Sequence, residues 1–432
     1  MEVKIKTYGC TLNQADSNLI ESILSDSGYS VEQVQKIDHS NIEDESDNVY
    51  IINTCAVKKP TMQKILFELQ ELSEKGAKII ATGCLAAADM EIIKKYAPNV
   101  SIATIQNINK MPLAVEYASK GKTIDFSTYQ RNDRLALFRP SNSVIAKIPI
   151  SEGCLSNCSF CETKFARGPL NSFSEELILN AVRMSIEKGA KEIELTAQDT
   201  GAYGLDRKTD ITKLLNKICE INGNFKVRVG MLNPKHLRLY IDDLIKIMKD
   251  RHIYKFIHIP VQSGSNEVLA SMKRQHTIED MYEAIHRLRN KIQNITIATD
   301  IIVGYPSETD DDFNKTIDFI RKTLPEVVNI SKFGAMPHAE ASKMPQLDRQ
   351  IINKRSIELS RLVRSIHIAL NNRFIGSKVE VLITETDGKS MSGRTENYKQ
   401  VIIKGNDSTK LGETCTVEIE DATANALYGR VL

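Results

Sequence analysis

The chain has 432 residues, of which 41% are hydrophobic and 26% are charged, and it contains 21 Gly and 12 Pro. This composition is ordinary for a globular protein of about three domains and excludes disordered, collagenous and low-complexity chains. Its 57 Lys and Arg nearly balance 55 Asp and Glu, for a formal charge of +2, so no strong overall field points to a nucleic-acid partner. Eight Cys over this length exclude a small disulfide-stapled fold, so the cysteines must be interpreted by position.

The sequence predicts neither an export signal nor a membrane span. Residues 1–6 lack the apolar stretch of a signal peptide. The longest apolar run, near residues 295–303, is interrupted by Asp300 and is too short to cross a bilayer. We therefore expect a cytoplasmic protein, in which clustered cysteines more often bind metals or take part in catalysis than form disulfides.

The first third of the chain alternates short β-branched runs with amphipathic segments. The predicted strands are residues 3–8, 49–53, 79–82 and 101–105, and the predicted helices are residues 13–27, 60–75 and 89–96. This order predicts a parallel sheet with helices on both faces, which binds ligands beyond the carboxyl ends of its strands. Cys10, Cys55 and Cys84 each follow a strand end by one or two residues. Because neighbouring strands lie about 5 Å apart, we expect these cysteines to converge on one site.

A polar linker, residues 129–134 and 140–143, leads into a middle segment that repeats strand and helix. The predicted strands are residues 144–150, 192–197, 225–229, 256–261, 295–303 and 327–333. The predicted helices are residues 175–188, 211–220, 242–249, 278–291, 311–322 and 348–372. Six such units predict a partial barrel rather than the full eight-unit version.

The tail from Gly376 changes to short alternating runs. These are residues 379–383, 399–403, 414–420 and 427–432, separated by the turn signals Asp387-Gly388, Gly405-Asn406 and Gly412. The pattern predicts a small antiparallel β-barrel of roughly five strands. The overall prediction is an α/β protein with three domains, at residues 1–128, 140–374 and 375–432.

A second set of cysteines lies directly after the first barrel strand, in Gly153-Cys154-Leu-Ser-Asn-Cys158-Ser-Phe160-Cys161. A structural zinc site needs four ligands, and no His lies between His39 and His236 to complete one locally. A 4Fe–4S cluster held by three thiolates leaves one iron open for a substrate or cofactor. The alternative is three thiols that cluster without a ligand, and the spacing favours the cluster.

This CxxxCxxC loop, with an aromatic residue before its last Cys, resembles the radical S-adenosylmethionine (SAM) superfamily. Further segments resemble the methylthiotransferases, in the same order along essentially the whole chain. They are Tyr8-Gly-Cys10, Asn53-Thr-Cys55-Ala-Val57, Thr82-Gly-Cys84, His258-Ile-Pro-Val-Gln-Ser-Gly-Ser265 and Thr299-Asp-Ile-Ile-Val-Gly304. The tail, with Gly393-Arg-Thr-Glu-Asn397, resembles the small RNA-binding barrel called TRAM that closes this family.

The segments at residues 154–168 and 194–204 resemble the archaeal and eukaryotic branch of this family. That resemblance implies a methylthio group added to C2 of N6-threonylcarbamoyladenosine at position 37 of tRNA. Two alternatives stay open: the same chemistry on isopentenyladenosine tRNA or a ribosomal-protein aspartate, and a non-catalytic RNA-binding iron–sulfur redox protein. The chain has Met336-Pro-His-Ala-Glu340 where the family usually has Arg-Pro-Gly-Thr, so we expect substrate contacts there to differ.

The resemblance also implies cofactors and partners. Cys154, Cys158 and Cys161 would hold a 4Fe–4S cluster whose open iron binds SAM, and its one-electron reduction would generate a radical. Cys10, Cys55 and Cys84 would hold a second 4Fe–4S cluster that carries the sulfur to be transferred. The implied partners are the tRNA substrate, a flavodoxin- or ferredoxin-like one-electron reductant and a sulfur donor.

Four further residues are candidate SAM contacts, and each has a plainer interpretation. Phe160 would pack on the SAM adenine or serve as an apolar plug beneath the cluster. Gln198 and Asp199 would reach SAM from a strand end or cap the next turn. Gly304, with Gly264, would let the backbone approach the cofactor or would form a turn.

Basic residues outside these sets are candidates for contacts with the substrate. Lys164 and Arg167 follow the cluster loop and would meet a phosphate or carboxylate, although a solvated basic pair is slightly favoured. Arg394 and Lys399 are candidate RNA contacts on the tail barrel. Cys219 and Cys415 are interpreted as core residues.

Overall fold

The computed structural model describes residues 1–42, 47–56, 58–128, 133–405 and 410–432. Val57, residues 129–132 of the predicted linker and Asn406 of a predicted turn lie outside the described residues. The elements form three successive groups along the chain, each with its own apolar core. No helix in the described ranges is both long and apolar enough to cross a bilayer.

The first group is a six-stranded parallel sheet flanked by helices, with strand order β2-β1-β3-β4-β5-β6. The strands are β1 (Glu2–Thr7), β2 (Ser30–Val34), β3 (Val49–Thr54), β4 (Lys78–Thr82), β5 (Ser101–Ala103) and β6 (Asp125–Phe126). The helices are α1 (Thr11–Asp26), α2 (Lys59–Glu74), α3 (Gly83–Ala88), α4 (Met90–Tyr96) and α5 (Met111–Ser119).

Burial explains this architecture. Every residue of β3 is buried, as expected for a central parallel strand with a helical layer on each face. Leu66 and Leu69 of α2 pack on one face, and Leu19 and Ile20 of α1 pack on the other. The predicted parallel sheet is confirmed. The structure adds β2, β6, α3 and α5, which the sequence analysis did not predict.

The second group supplies the barrel. Its strands are β7 (Ile145–Pro149), β8 (Ser151–Glu152), β9 (Asn171–Ser172), β10 (Glu192–Thr196), β11 (Lys226–Val229), β12 (Phe256–His258), β13 (Thr296–Val303) and β14 (Val327–Lys332). Its helices are α6 (Thr163–Arg167), α7 (Glu175–Glu187), α8 (Ile211–Cys219), α9 (Pro234–Leu237), α10 (Ile241–Ile247), α11 (Asn266–Ser271), α12 (Ile278–Lys291), α13 (Asp310–Thr323) and α14 (Arg349–Asn372).

Two three-stranded parallel sheets form this barrel, in the orders β11-β10-β7 and β12-β13-β14. A parallel bridge between Val227 and Ile253 connects them at β11. The six strands of these two sheets are the six that the sequence predicts, and one apolar core packs them against the surrounding helices. The predicted partial barrel is therefore confirmed.

The third group is a closed five-stranded barrel with the order β15-β16-β17-β19-β18. Its strands are β15 (Lys378–Thr386), β16 (Ser390–Thr395), β17 (Gln400–Lys404), β18 (Thr414–Ala422) and β19 (Leu427–Val431). Closure leaves no free strand edge, which stabilises so small a sheet. A Cβ added at Gly393 would collide with the carbonyl oxygen of Leu382, so the close pairing of β15 and β16 requires glycine there.

Tyr398 attaches this small barrel to the large one. Its hydroxyl donates hydrogen bonds to Glu192 at 2.9 Å and to Glu194 at 3.0 Å, both on β10. Its ring lies 4.7 Å from that of Tyr254. Glu192 is the first residue of β10, so the small barrel docks near the amino ends of the barrel strands, away from the cysteine loop at their carboxyl ends.

Candidate active site

The three cysteines of the first domain lie at the carboxyl edge of its sheet. Cys10 lies between β1 and α1, Cys55 directly follows β3, and Cys84 is the second residue of α3, which follows β4. These strands are adjacent in the order β1-β3-β4. The sheet therefore brings residues that are far apart in the sequence to one edge.

Asn13 lies at the centre of this group. Its side-chain oxygen accepts S–H contacts from Cys10 at 3.8 Å and Cys84 at 3.7 Å. Its amide donates to the carbonyl of Thr54, the residue before Cys55, at 2.9 Å. Asn13 thus contacts two of the three cysteine sulfurs and the residue next to the third.

The glycine before Cys84 permits this arrangement. Gly83 has a φ of +83°, and a Cβ there would collide with the backbone of Thr54. Only glycine can take this conformation so close to the neighbouring strand without strain. Gly83 therefore sets where α3 starts and where Cys84 lies.

The second set of cysteines occupies the loop after β8. Cys154 accepts from the backbone N–H of Ser156 at 3.3 Å, and Cys161 accepts from that of Thr163 at 3.3 Å. Arg274 donates to Cys158 at 3.4 Å. Burial raises the pKa of the Cys154 thiol to about 11, and the charges of Asp199, Cys161 and Cys158 add to this shift.

The spacing of the sulfurs distinguishes between kinds of bound group. One zinc ion with ligands at about 2.3 Å brings tetrahedral sulfurs to within roughly 3.8 Å of one another. Neither set of three has all its sulfurs within 4.8 Å; in the part of the chain that the structure describes, only Cys219, Asp250 and His252 form such a group. Two wide sets of soft thiolate donors therefore fit a larger iron–sulfur group better than a single ion.

Gln198 and Asp199 lie side by side after β10 but differ in their partners. The side-chain oxygen of Gln198 is buried and has no hydrogen-bond partner among the described residues. Asp199 accepts from the backbone N–H groups of Gly201 and Asn233 and pairs with His236 at 2.7 Å. An unpartnered buried amide oxygen costs free energy, so Gln198 is the one of the two that is open to a ligand.

Phe160 and Gly304 have structural partners. Phe160 packs against an apolar cluster that includes Met272 and Tyr305, as expected of a plug beneath the loop. Gly304 has a φ of +80°, and a Cβ there would lie 2.5 Å from Ile352 of α14. Their contact with a cofactor stays a prediction.

Arg167 is the residue whose placement differs most from expectation. The sequence favours a solvated side chain, but only 1% of Arg167 is exposed. It donates to Cys84 at 3.1 Å and Asn13 at 3.0 Å, and it pairs with Asp16 at 2.8 Å and Glu152 at 3.2 Å. The segment that follows the second cysteine set thus directly contacts the first set. Lys164 on the same helix is exposed, as expected, and donates to Asn157.

The divergent segment at residues 336–340 lies at the seam between the two domains. Met336 and Ala339 are buried in the apolar core of the first domain. The backbone N–H of His338 donates to Glu162, next to Cys161, at 2.6 Å. The segment therefore connects the cysteine loop to the first domain.

Comparisons with known proteins agree with this geometry. Residues 148–320 match the Radical SAM superfamily, residues 2–104 match the uncharacterized protein family UPF0004, and residues 372–432 match the TRAM domain. The probable threonylcarbamoyladenosine tRNA methylthiotransferase of Pyrococcus abyssi is 38% identical over 100% of both chains. The threonylcarbamoyladenosine tRNA methylthiotransferase of Homo sapiens is 32% identical over 99% of this chain and 74% of its own. The chain belongs to this methylthiotransferase family.

Solved structures support the fold of this methylthiotransferase family member. The radical SAM methyltransferase TsrM from Kitasatospora setae, with cobalamin and a [4Fe-4S] cluster bound, superposes with a TM-score of 0.57. It is 12% identical and covers 79% of this chain and 77% of its own. At that identity the likeness concerns the fold alone.

The structure places the two basic candidates on the TRAM domain differently. Lys399 is only 7% exposed, and its ammonium donates to Asn371 of α14 at 2.9 Å, so the prediction for this residue is wrong. The guanidinium of Arg394 lies 4.8 Å from the centre of the Tyr398 ring. Arg394 is only half-buried, so its contact with RNA stays a prediction. Cys219 and Cys415 pack against the cores of their domains, as predicted.

Proposed function

We propose that this chain is a tRNA methylthiotransferase that adds a methylthio group to C2 of N6-threonylcarbamoyladenosine at position 37. The observation that carries the proposal is the contact between Arg167 and Cys84. Through this contact the loop of one three-cysteine set lies against the other set. Insertion of sulfur into a C–H bond needs both a radical source and a sulfur carrier at one place, and the seam supplies a site for each.

In this proposal Cys154, Cys158 and Cys161 hold a 4Fe–4S cluster that binds SAM, and Cys10, Cys55 and Cys84 hold a second one. When bound, the SAM cluster supplies the one-electron chemistry that can break an unactivated C–H bond such as that at C2 of adenine. Three protein ligands leave one iron of each cluster open. The chain offers sulfur donors in this number at both places.

The chain's other residues hold and tune these sites. Arg274 and Arg167 donate to the sulfurs of Cys158 and Cys84, and such hydrogen bonds stabilise negative charge on cluster ligands. Gln198 offers an unpartnered amide oxygen to SAM. Phe160, Asp199 and Gly304 complete the proposed SAM site, with Asp199 also fixing the position of His236.

In this proposal each of the three domains has its own role. Residues 1–128 bind the auxiliary cluster, residues 140–374 bind SAM and its cluster, and residues 375–432 bind RNA. The tRNA substrate, a flavodoxin- or ferredoxin-like one-electron reductant and a sulfur donor are the partners. A cytoplasmic location belongs to the same proposal.

Mass spectrometry of tRNA nucleosides from a deletion strain tests the substrate. We expect 2-methylthio-N6-threonylcarbamoyladenosine to disappear, to return with the wild-type gene and to stay absent with Cys158→Ala. Matched complementation with Cys219→Ala should restore it, because Cys219 packs in the core away from the two sets. Unchanged levels of this nucleoside in the deletion strain would contradict the proposal. Loss of a methylthio-isopentenyladenosine instead would assign the chain to the other tRNA substrate.

A further inference from the structure

Two exposed aromatic side chains lie stacked on each other at the seam. The rings of Phe165 and His338 are 4.2 Å apart at their centres and 10° from parallel. Phe165 is nevertheless 59% exposed, so its ring face away from His338 is open to solvent. Single exposed apolar side chains are common, but a ring held parallel to a second ring presents a flat apolar face on which another ring can stack.

Both members of this pair are held in place by buried neighbours. Phe165 lies on the short helix α6, two residues before the buried Arg167. His338 lies between Met336 and Ala339, which are buried in the core of the first domain. Its backbone N–H donates to Glu162, and its ring lies 3.8 Å from Asp89. The platform is therefore preorganised, and a ligand that stacks on it loses little entropy to ordering these rings.

The stacked pair of Phe165 and His338 lies beside both cysteine sets. Phe165 is four residues after Cys161. Its helix α6 packs against α3, which carries Cys84. A group stacked on Phe165 would lie next to the cysteine sets that the proposed reaction uses.

Two exposed lysines lie beside the pair, with Glu340 and Asp89 as acidic neighbours. Lys164 is exposed directly beside Phe165. Lys273 is exposed nearby, where it pairs with Glu340 of the segment that carries His338. An aromatic face flanked by lysines matches the two features of an unpaired nucleotide, a flat base and an anionic phosphate.

We propose that Phe165 and His338 form a stacking platform for an unpaired nucleobase of the RNA substrate, next to the nucleotide that is modified. This inference rests on the proposed tRNA substrate and adds the residues that position the anticodon loop of that tRNA at the seam. It also gives a role to the divergent segment, because His338 belongs to the run that departs from the family pattern. Stacking is tolerant of base identity, so the platform positions the loop and leaves base choice to other contacts.

The test uses the reconstituted full-length protein and an anticodon stem-loop RNA. 2-Aminopurine replaces, in separate RNAs, the unpaired base on each side of the target adenosine. We expect the wild-type protein to quench the emission of one of these probes. Phe165→Ala should abolish the quenching and raise the dissociation constant about five- to 150-fold, the range of one lost stacked base. Phe165→Tyr should retain both properties, and Phe165→Leu should lose most of them.

Phe67→Ala is the matched control, because Phe67 on α2 is 61% exposed and its loss removes a similar apolar area. Its dissociation constant should stay within twofold of wild type. If Phe165→Leu has the same iron content and the same thermal midpoint as the wild-type protein, the variant is folded. The inference is overturned if Phe165→Ala binds and quenches as wild type does, or if Phe67→Ala loses as much. Failure of the wild-type protein to bind the stem-loop would contradict the proposed function as well.

Discussion

The buried guanidinium of Arg167, six residues after Cys161, contacts Cys84 of the first cysteine set. Arg167 belongs to the barrel domain, yet its strongest partners, Asp16 and Cys84, belong to the first domain. Arg134 lies 2.9 Å from the other oxygen of Asp16. Arg134 and Arg167 together with Asp16 and Glu152 therefore form a buried group of two cations and two anions. Removing one partner of such a group leaves an uncompensated charge away from water.

Arg167→Met should therefore destabilise the protein strongly. The variant leaves Asp16 and Glu152 with one cation, and breaking a buried pair in this way costs about 3–5 kcal/mol. A urea titration of the full chain would show the loss as a lower midpoint. Lys164→Ala, an exposed change on the same helix, is the control and should cost less than about 0.5 kcal/mol. Equal midpoints for Arg167→Met and wild type would contradict this account of the seam.

At the scale of elements, the fold of the first site depends on how closely α3 approaches β3. Two glycines of the first domain have nearly the same left-handed backbone, with φ of +83° at Gly83 and +86° at Gly28. An alanine Cβ at Gly28 would meet no atom of the described residues within 4 Å, whereas one at Gly83 would meet the backbone of Thr54. Comparing alanine substitutions at these two glycines separates the free-energy cost of the left-handed backbone from the free-energy cost of the collision.

Gly83→Ala should lower stability by several kcal/mol, and Gly28→Ala by about 1 kcal/mol, the cost of the left-handed conformation alone. The reconstituted Gly83→Ala variant should also lose iron, because Cys84 shifts with α3. Iron analysis and thermal unfolding of both variants check this expectation. A Gly83→Ala variant as stable and as iron-rich as Gly28→Ala would show that the close approach does not position the site.

Across the whole molecule, the sequence predicts those strands, helices and sites that depend on local hydrophobic periodicity and on short motifs. Both sets of cysteines follow strand ends, and alternating patterns locate those strands, so their grouping could be predicted. The long barrel strands and the closed tail barrel follow for the same reason. The strand β2 was missed because its side chains are mostly exposed and alternate weakly.

What the sequence could not predict arises where domains meet. Arg167 and Asp16 are 151 residues apart in the chain, and no local pattern marks either as a partner of the other. Lys399 is basic and lies in a TRAM strand region, but docking against α14 buries it. The stacking of Phe165 on His338 likewise depends on the seam. Docking of domains decides burial at such positions, and periodicity carries no information about it.

The iron content of anaerobically reconstituted protein tests the central claim, that two separate sets of three cysteines each hold a cluster. Each 4Fe–4S cluster carries four irons, so we predict about eight per chain for the wild type. Replacing Cys10, Cys55 and Cys84 by Ala should leave about four, and so should replacing Cys154, Cys158 and Cys161. Four or fewer irons in the wild-type protein, or the loss of all iron on removal of either set, would contradict the account.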